Sequence, residues 1–372
     1  MHPVSMMIKP SSGNCNMHCD YCFYADEMDN RSVSNYGFMT EETLENVIKK
    51  AFDMAQGFCT IAYQGGEPTL RGLDFFKKAA ELERKYNKND IKVRHALQTN
   101  GLSISREWAE FFRQEDFLIG ISLDGKKGSH DACRHTKSGE DTFAKVNEAI
   151  NILKEEKVPF NILTVVNRIT VKQARKIYSF YQKNNLDFLQ FIPCLPPIRE
   201  NMENYSPSAY EYGSFLNELF ECWFEDLKQG RQPYIRQFEN YVAILLGRAP
   251  DCCDQSGVCQ SQYVIEADGS VYPCDFYVLD GYRLGNLNKD SLDDIDQSRV
   301  KSDFLSTSQK VRLGCTGCEY YHICRGGCYR HFYQNEEGKT ANRFCESYKS
   351  FFKAHLNDLN EITRNIMLNS RH

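Results

Sequence analysis

The chain has 372 residues, of which 45 are Lys or Arg and 50 are Asp or Glu, giving a net charge of −5. This balance argues against a nucleic-acid partner, which usually requires a strongly basic face. Hydrophobic residues make up 41% of the chain, and the ordinary use of Gly and Pro excludes a disordered or collagen-like protein. The 16 cysteines are too few for a small disulfide scaffold and too many to be incidental.

The start of the chain lacks the features of a secretory signal, namely a basic start, an apolar stretch and a small-residue cleavage site. The longest apolar run, residues 242–246, is far shorter than the ~18 residues that cross a membrane. We therefore expect a cytoplasmic protein whose cysteines serve metal or redox chemistry instead of forming disulfides.

The first 195 residues alternate between strand-like and helix-like segments. Apolar runs predict strands at residues 4–8, 59–63, 91–97, 117–123, 160–166 and 188–192. Helical periodicity lies between them, as in the apolar stripe from Leu44 to Phe52 that follows the N-cap candidate Thr40. Six alternations of strand and helix predict buried parallel strands, arranged as an α/β barrel or open arc. The active site of such a sheet lies at the C-terminal ends of its strands.

Polar or glycine-rich segments follow the first four predicted strands. They occupy residues 15–22, 64–68, 98–101 and 122–125. Each segment alone is typical of a turn. Because all four lie on the same predicted edge of the sheet, together they favour a ligand site.

The second part of the chain has a different character. Residues 207–246 predict two helices, and after Pro250 the segments become short and rich in turns. Alternating residues around Asp268-Gly269 predict a β-hairpin, and the tail from Phe344 onward predicts a helix. We place a barrel domain with a bridging helix at residues 1–235 and a cysteine-rich domain with a C-terminal helix at residues 236–372.

Eleven cysteines fall into spaced groups. The first group, C-x3-C-x2-C, consists of Cys15, Cys19 and Cys22. The second consists of Cys253, Cys259, Cys274, Cys315, Cys318, Cys324, Cys328 and Cys345. Three thiolates would leave one iron of a [4Fe–4S] cluster open to another ligand, a catalytic arrangement, whereas eight supply two complete sets of four.

Zinc is an alternative for both groups. His18 could complete the first group, and the C-x2-C from Cys315 to Cys318 resembles half of a zinc ribbon. The five other cysteines have no pattern and are expected to be small packing residues; they are Cys59, Cys133, Cys194, Cys222 and Cys252.

Two parts of the chain resemble known families. The Cys15 to Cys22 loop, with an aromatic residue before its last cysteine, resembles the radical S-adenosylmethionine (SAM) superfamily, as does Gly65-Gly66-Glu67-Pro68. The C-x9-G-x4-C from Cys259, the C-x2-C-x5-C-x3-C and Cys345 resemble the seven-cysteine SPASM extension. The implied fold is α/β: a partial (β/α)6 radical SAM barrel followed by a small cysteine-rich α+β SPASM domain with two iron–sulfur clusters and a C-terminal helix.

Within this group the chain is most similar to the anaerobic sulfatase-maturating enzymes. The similarity lies in Cys22-Phe23-Tyr24, in residues 64–70 and in Tyr272-Pro273-Cys274-Asp275-Phe276. These enzymes oxidise a Cys or Ser of a sulfatase to Cα-formylglycine. The resemblance implies three [4Fe–4S] clusters and SAM as cofactors, an unfolded or nascent sulfatase polypeptide as substrate, and a flavodoxin or ferredoxin as electron donor. It implies no nucleic-acid or membrane partner.

The resemblance also assigns roles to individual residues. The SAM-binding cluster falls to Cys15, Cys19 and Cys22. The first auxiliary cluster falls to Cys253, Cys259, Cys274 and Cys328, and the second to Cys315, Cys318, Cys324 and Cys345. Cys253 is preferred to its neighbour Cys252 for its spacing to Cys259. SAM contacts fall to Tyr21, Gly66, Ser122, Arg134 and Leu195, and Asp275 is the expected base.

Three other functions remain open from the sequence. The first is another SPASM peptide maturase, which would form thioether or carbon–carbon crosslinks on a ribosomal peptide. The second is an iron–sulfur electron carrier, which would leave the open three-cysteine group unexplained. The third is a zinc-binding interaction protein.

Overall fold

The computed structural model describes residues 3–198, 203–260, 262–335 and 338–369. Its strands are β1 (Val4–Ile8), β2 (Met17–Cys19), β3 (Phe58–Tyr63), β4 (Lys92–Thr99), β5 (Phe117–Ser122), β6 (Arg134–Thr136), β7 (Phe160–Val166), β8 (Phe188–Pro193), β9 (Tyr234–Ile235), β10 (Tyr263–Ile265), β11 (Ser270–Tyr272), β12 (Gly285–Asn286), β13 (Phe332–Gln334) and β14 (Thr340–Asn342). Its helices are α1 (Phe23–Asp29), α2 (Glu41–Met54), α3 (Leu73–Tyr86), α4 (Arg106–Gln114), α5 (Lys127–His130), α6 (Phe143–Glu155), α7 (Ala174–Lys183), α8 (Ala209–Lys228), α9 (Arg236–Leu245), α10 (Leu292–Asp296), α11 (Arg299–Lys310), α12 (Tyr321–Cys324) and α13 (Cys345–Asn369).

The core is one large sheet in the order β12-β11-β10-β1-β3-β4-β5-β7-β8-β9. The six strands predicted from the sequence, β1, β3, β4, β5, β7 and β8, are neighbours in this sheet and pair in parallel. Their observed bounds differ from the predicted ones by no more than two residues. The predicted α/β fold class with a parallel core is therefore confirmed.

The sheet continues beyond the six strands at both edges. Strand β10 pairs in parallel with β1, and the predicted hairpin β10–β11 and strand β12 extend this edge in antiparallel fashion. Strand β9 pairs with β8 at the other edge. The sequence boundary between residues 235 and 236 falls directly between β9 and α9. The cysteine-rich half therefore shares its hydrogen-bonded sheet with the barrel half.

Helix α2 illustrates how the local sequence sets the elements that cover the sheet. The side chain of Thr40 accepts a hydrogen bond from the backbone N–H of Thr43, as predicted for the N-cap. The stripe from Leu44 to Phe52 faces the core, with its members no more than 3% exposed. Helix α8 begins with a reciprocal capping box between Ser208 and Glu211.

An aromatic cluster joins the last helix to the middle of the chain. Phe351 of α13 stacks on Phe238 of α9 with ring centroids 5.6 Å apart, and meets Phe220 of α8 edge-on at 5.4 Å. Trp223 packs beside them and donates its indole N–H to the carbonyl of Pro233 at 2.8 Å. Pairs of this kind add about 0.5–1.5 kcal/mol each beyond the burial of their area. The cluster fixes α13 against the bridging helices.

None of the helices in the described ranges has the length and apolar composition required to cross a bilayer.

The cluster predicts a large effect of truncating Phe351, which is fully buried. Phe351→Ala should lower the free energy of unfolding by about 3–5 kcal/mol, because it removes the ring and leaves a cavity. Thermal unfolding at equal iron content measures the effect. Leu368→Ala, at an exposed position on the same helix, is the control and should change the melting temperature little. Equal melting temperatures for the two variants would contradict this packing.

Candidate active site

A cavity of about 230 Å³ lies at the C-terminal ends of the parallel strands. Its wall contains the three cysteines of the first group and all five residues assigned to SAM, namely Cys15, Cys19, Cys22, Tyr21, Gly66, Ser122, Arg134 and Leu195. The loops after the strands bring these side chains together from distant parts of the sequence. The structure thus places the polar strand ends predicted from the sequence around a single cavity.

The glycine pair after β3 allows two loops to approach closely. A Cβ on Gly66 would lie 2.4 Å from the carbonyl oxygen of Asn14 and 2.6 Å from that of Ser12. Both are backbone atoms that cannot move aside cheaply. The φ angle of Gly66 is +55°, in the left-handed region that favours glycine. Glycine is therefore required at this position for the cysteine loop to pack on the end of β3.

Glu67, in the loop after β3, joins this loop to the end of β4 through hydrogen bonds. Its buried carboxylate accepts hydrogen bonds from the N–H and hydroxyl of Thr69, from the hydroxyl of Thr99 and from the N–H of Asn100. Asn100 in turn donates to the side chain of Asn16, next to Cys15. Burial raises the pKa of Glu67, and these donors act in the opposite direction.

Arg134, Tyr21 and Asp124 form a buried polar triad on the cavity wall. Arg134 donates to the hydroxyl of Tyr21 at 2.9 Å, and this hydroxyl donates to Asp124. The guanidinium lies 4.0 Å from the same carboxylate. The Nε of Arg134 is buried without a hydrogen-bond partner in the described structure. An unsatisfied buried donor of a cation is suited to an anionic group such as a ligand carboxylate.

Ser122 and Leu195 complete the wall from the ends of two different strands. The hydroxyl of Ser122, at the end of β5, accepts a hydrogen bond from the side chain of Gln98 at 3.1 Å. Leu195 follows β8 and adds an apolar surface to the cavity. Such a wall combines polar and apolar groups, as a nucleoside with an amino-acid tail requires.

Asp275 lies beside this cavity, in a short 3₁₀ turn that follows β11. Its carboxylate is paired with the ammonium group of Lys9 and accepts a hydrogen bond from the side chain of Gln64 at 2.6 Å. Lys9 is fully buried and lies over the ring of Tyr24 at 4.1 Å. Gln64, Tyr24 and the neighbouring Phe276 line the cavity itself. Asp275 is therefore one hydrogen bond away from the cavity wall.

A second acidic side chain is buried near Asp275. One carboxylate oxygen of Glu27 accepts from the N–H of Val278 at 3.3 Å, and the other has no hydrogen-bond partner in the described structure. Burial raises the pKa of Glu27 well above its usual range, and the Asp275 carboxylate raises it further, whereas Lys9 lowers it. Glu27 is therefore suited to holding a proton close to Asp275.

Two thiols of the first group, those of Cys15 and Cys19, lie in surroundings that favour the protonated form. Burial raises the pKa of the Cys15 thiol to about 11 and that of the Cys19 thiol to about 12. A metal that binds here must displace these protons. His18 lies on the opposite face of β2 from Cys19, since successive residues of a strand alternate. His18 therefore does not complete a site with these thiols.

The spacing of the thiols fits a multi-iron cluster better than a single zinc ion. In the described parts of the chain, one trio of ligand atoms from His, Cys, Asp or Glu converges within 4.8 Å, and it contains no cysteine. A zinc ion binds thiolates at about 2.3 Å and needs such convergence. A four-iron cluster separates its thiolates more widely and accepts cysteine as its usual ligand.

The eight later cysteines divide into two sets in the structure. One set consists of Cys253, Cys259, Cys274 and Cys328: burial raises the pKa values of Cys253, Cys274 and Cys328, and neighbouring thiols of the set raise them further. The other set, which lines a separate cavity of about 130 Å³, consists of Cys315, Cys318, Cys324 and Cys345. These are the two groups of four that the resemblance implied.

The neighbours Cys252 and Cys253 have different surroundings. The Cys252 thiol donates to the side-chain oxygen of Gln255 and accepts from Asn240 at 2.9 Å. For the Cys253 thiol, burial raises the pKa, and the nearby Cys259 thiol raises it further. Cys252 thus has protein partners of its own, which favours Cys253 as the member of the set.

A buried arginine lies between the two sets. Arg312 is 2% exposed, donates to the carbonyl of Gly327 at 2.8 Å and approaches the Cys259 sulfur at 4.0 Å. Its charge also lowers the pKa of Cys315, against the effect of burial. One guanidinium therefore lies close to a thiol of the first set and acts electrostatically on a thiol of the second.

Two site residues were not identified from the sequence. Lys9, the partner of Asp275, directly follows β1. In the sequence it could have been singled out only as a charged residue at the end of an apolar strand. Asp124 belongs to a predicted polar strand end, but its contact with Tyr21 and Arg134 depends on the tertiary fold.

Comparisons with known proteins agree with this geometry. The family model described as the Radical SAM superfamily matches residues 10–181, and the model described as an iron–sulfur cluster-binding domain, SPASM, matches residues 253–319. A solved structure described as native anSMEcpe with bound AdoMet and Cp18Cys peptide has a TM-score of 0.92 and 41% identity, covering 98% of this chain and 100% of that one. The fold and site define a radical SAM protein with a SPASM extension, whose cofactors are iron–sulfur clusters and SAM.

Two curated relatives narrow the family further. The chain is 44% identical to the cysteine-type anaerobic sulfatase-maturating enzyme of Clostridium novyi, over 98% of this chain and 99% of the relative. It is 30% identical to the serine-type enzyme of Bacteroides thetaiotaomicron, over 94% and 89%. The chain belongs to the anaerobic sulfatase-maturating enzyme family.

The contacts of Gly66 predict that an added methyl group disrupts the cavity. Gly66→Ala should weaken SAM binding by about tenfold or more, since its Cβ would push the Asn14 carbonyl and the cysteine loop away. Calorimetric titration of SAM into cluster-loaded protein measures this. Gly139→Ala also places a side chain at positive φ, but its Cβ meets nothing within 4 Å. SAM binding should persist in this control, and equal affinities in both variants would contradict the steric argument.

Proposed function

We propose that this protein oxidises the target cysteine of a sulfatase polypeptide to Cα-formylglycine. The observation that carries the proposal is the single cavity that joins three cysteine thiols, a buried arginine with an unpartnered Nε in the described structure, and the wall next to Asp275. The similarity to the cysteine-type enzyme of Clostridium novyi supports cysteine as the target.

The cofactors would be held by the cysteine groups and the strand ends. Cys15, Cys19 and Cys22 would ligate an open [4Fe–4S] cluster, and the two four-cysteine sets would ligate two closed clusters. Bound together, the open cluster and SAM supply the one-electron chemistry that removes a hydrogen atom from a carbon atom. The set containing Cys274 would supply a one-electron acceptor beside Asp275.

The chain's own residues orient SAM. Arg134 would bind the carboxylate of SAM through its free Nε while Tyr21 and Asp124 hold the guanidinium in place. Gly66 would leave room for the amino group beside the backbone, Ser122 would make a polar contact, and Leu195 would pack on the adenine.

Asp275 would then take the proton from the substrate. A cysteine that loses a hydrogen atom from Cβ, a proton from sulfur and one further electron becomes a thioaldehyde, and water converts the thioaldehyde to the aldehyde with release of hydrogen sulfide. Lys9 and Gln64 each contact one carboxylate oxygen of Asp275, which fixes the orientation of this group one hydrogen bond from the cavity wall. The apolar side chains of Phe276 and Leu195 would limit access of water until the oxidation is complete.

Partners and location follow from the same chemistry. We expect a flavodoxin or ferredoxin as the electron donor, because the reaction starts with a single-electron reduction. None of the 16 cysteines, all of which lie in the described parts of the chain, forms a disulfide; this suits a reducing compartment, and we place the reaction in the cytoplasm.

The target residue can be tested with matched peptides. Under anaerobic conditions, a sulfatase-derived peptide with Cys at the target position should change in mass from thiol to aldehyde. The peptide with Ser should react more slowly, and the peptide with Ala should not react. Mass spectrometry follows all three. SAM cleavage without a mass change on Cys or Ser would contradict the proposal and favour a maturase that forms crosslinks.

The role of Asp275 is tested by Asp275→Asn, which keeps the shape but cannot accept a proton. Product formation should fall by about 100-fold or more, while iron content and SAM binding stay unchanged. Asp293→Asn, at an exposed position on α10, is the control and should retain activity. Full turnover by Asp275→Asn would show that Asp275 is not the base. Loss of iron from this variant would show instead that Asp275 stabilises the cluster ligand Cys274.

A further inference from the structure

A small antiparallel ladder lies outside the main sheet and carries part of the cavity wall. It consists of β2 and β6, and pairs Met17 with Thr136, His18 with His135 and Cys19 with Arg134. Cross-strand partners share a face of the ladder, and successive residues alternate between faces. Cys19 and Arg134 face the cavity, so His18 and His135 face the other way.

Two imidazoles and a carboxylate converge on this outer face. The rings of His18 and His135 have their centroids 5.5 Å apart, and a carboxylate oxygen of Asp20 lies 3.5 Å from Nε2 of His135. The ligand atoms of the three side chains all lie within 4.8 Å of one another. In the described parts of the chain, no other trio of His, Cys, Asp or Glu side chains converges in this way.

The backbone and a neighbouring tyrosine hold Asp20 in this position. The N–H of Asp20 donates to the carbonyl of Cys133 at 3.0 Å and extends the ladder by one bond. The second carboxylate oxygen of Asp20 accepts from the hydroxyl of Tyr205 at 3.2 Å. This arrangement leaves the other oxygen facing His135, and a carboxylate with such a support is a preorganised ligand.

We propose that His18, Asp20 and His135 form a binding site for one divalent transition metal ion, with zinc as the best match. Two imidazoles and a carboxylate with an open position are a common zinc ligand set, with bonds of about 2.0–2.2 Å. The ligand atoms must close by roughly 1 Å or more to reach this geometry. His18 is exposed and can change rotamer to do so.

This site differs from the cysteine groups in chemistry and in position. Its nitrogen and oxygen donors suit zinc, nickel or cobalt, whereas the thiolates across the ladder suit iron–sulfur clusters. A bound ion would join β2 to β6 through their side chains. It would therefore stiffen the two strands that carry Cys19 and Arg134 without occupying the cavity.

Cobalt(II) is the probe that separates the two kinds of site, because thiolate ligands give intense charge-transfer bands and nitrogen or oxygen ligands give weak visible bands. Untagged, cluster-loaded protein is titrated anaerobically with cobalt(II) at pH 7.5, and iron is measured before and after. We expect one equivalent to bind with weak visible bands and no loss of iron.

His135→Asn should weaken cobalt binding by about tenfold or more, and His18→Asn, at an exposed position, should do the same. Glu140→Gln removes an exposed carboxylate beside the same ladder, and should bind as the wild type does. The proposal is overturned if the wild type binds no cobalt, or if both histidine variants bind cobalt as tightly as the wild type does. It is also overturned if cobalt binding appears with thiolate bands and loss of iron.

Discussion

The parallel pairing of β1 with β10 brings the two halves of this protein into one site. Strand β1 lies inside the sheet, with β3 on one side and β10 on the other, and the backbone pairing continues as Lys9 donates to the carbonyl of Ile265 at 2.8 Å. The paired residues of the two strands, such as Met6 and Tyr263, are 257 positions apart in the chain. Their register sets where the turn after β11 begins, and this turn carries Asp275. Without the pairing, Asp275 would not reach the ends of the barrel strands.

The charges buried at this junction make the arrangement specific. Lys9 and Asp275 form one pair between the halves, and Arg31 and Glu266 form a second, with both side chains shielded from solvent. Removing one partner of a buried pair leaves an uncompensated charge and costs about 3–5 kcal/mol. A shifted register would separate both pairs at once. The same contacts that orient the proposed base therefore also select the correct docking of the cysteine-rich half on the barrel.

The elements and the local site groups were predictable from the sequence because their signals are local. Strand runs, the Thr40 cap, the hairpin at Asp268-Gly269 and the final helix all follow from periodicity and turn chemistry within short windows. The polar strand ends were predictable as one site, since parallel strands end at one edge of the sheet.

The contacts between distant residues could not be predicted from residue patterns. The addition of β10, β11 and β12 to the barrel sheet depends on the pairing of strand edges, for which the sequence has no local signal. Lys9 acts through its ion pair with Asp275, and Asp124 through its hydrogen bond from Tyr21. Both partners are more than 100 residues away in the chain. The outward direction of His18 likewise depends on the pairing of β2 with β6, which the cysteine spacing does not indicate.

In the proposed reaction, one cavity brings SAM and the Cβ of a substrate cysteine together. A sulfatase peptide deuterated at Cβ of its target cysteine tests this most directly, with mass spectrometry of the 5′-deoxyadenosine released from SAM under anaerobic conditions. We expect deuterium to appear in the 5′-deoxyadenosine as the aldehyde forms. Aldehyde formation with no deuterium in the nucleoside would contradict it.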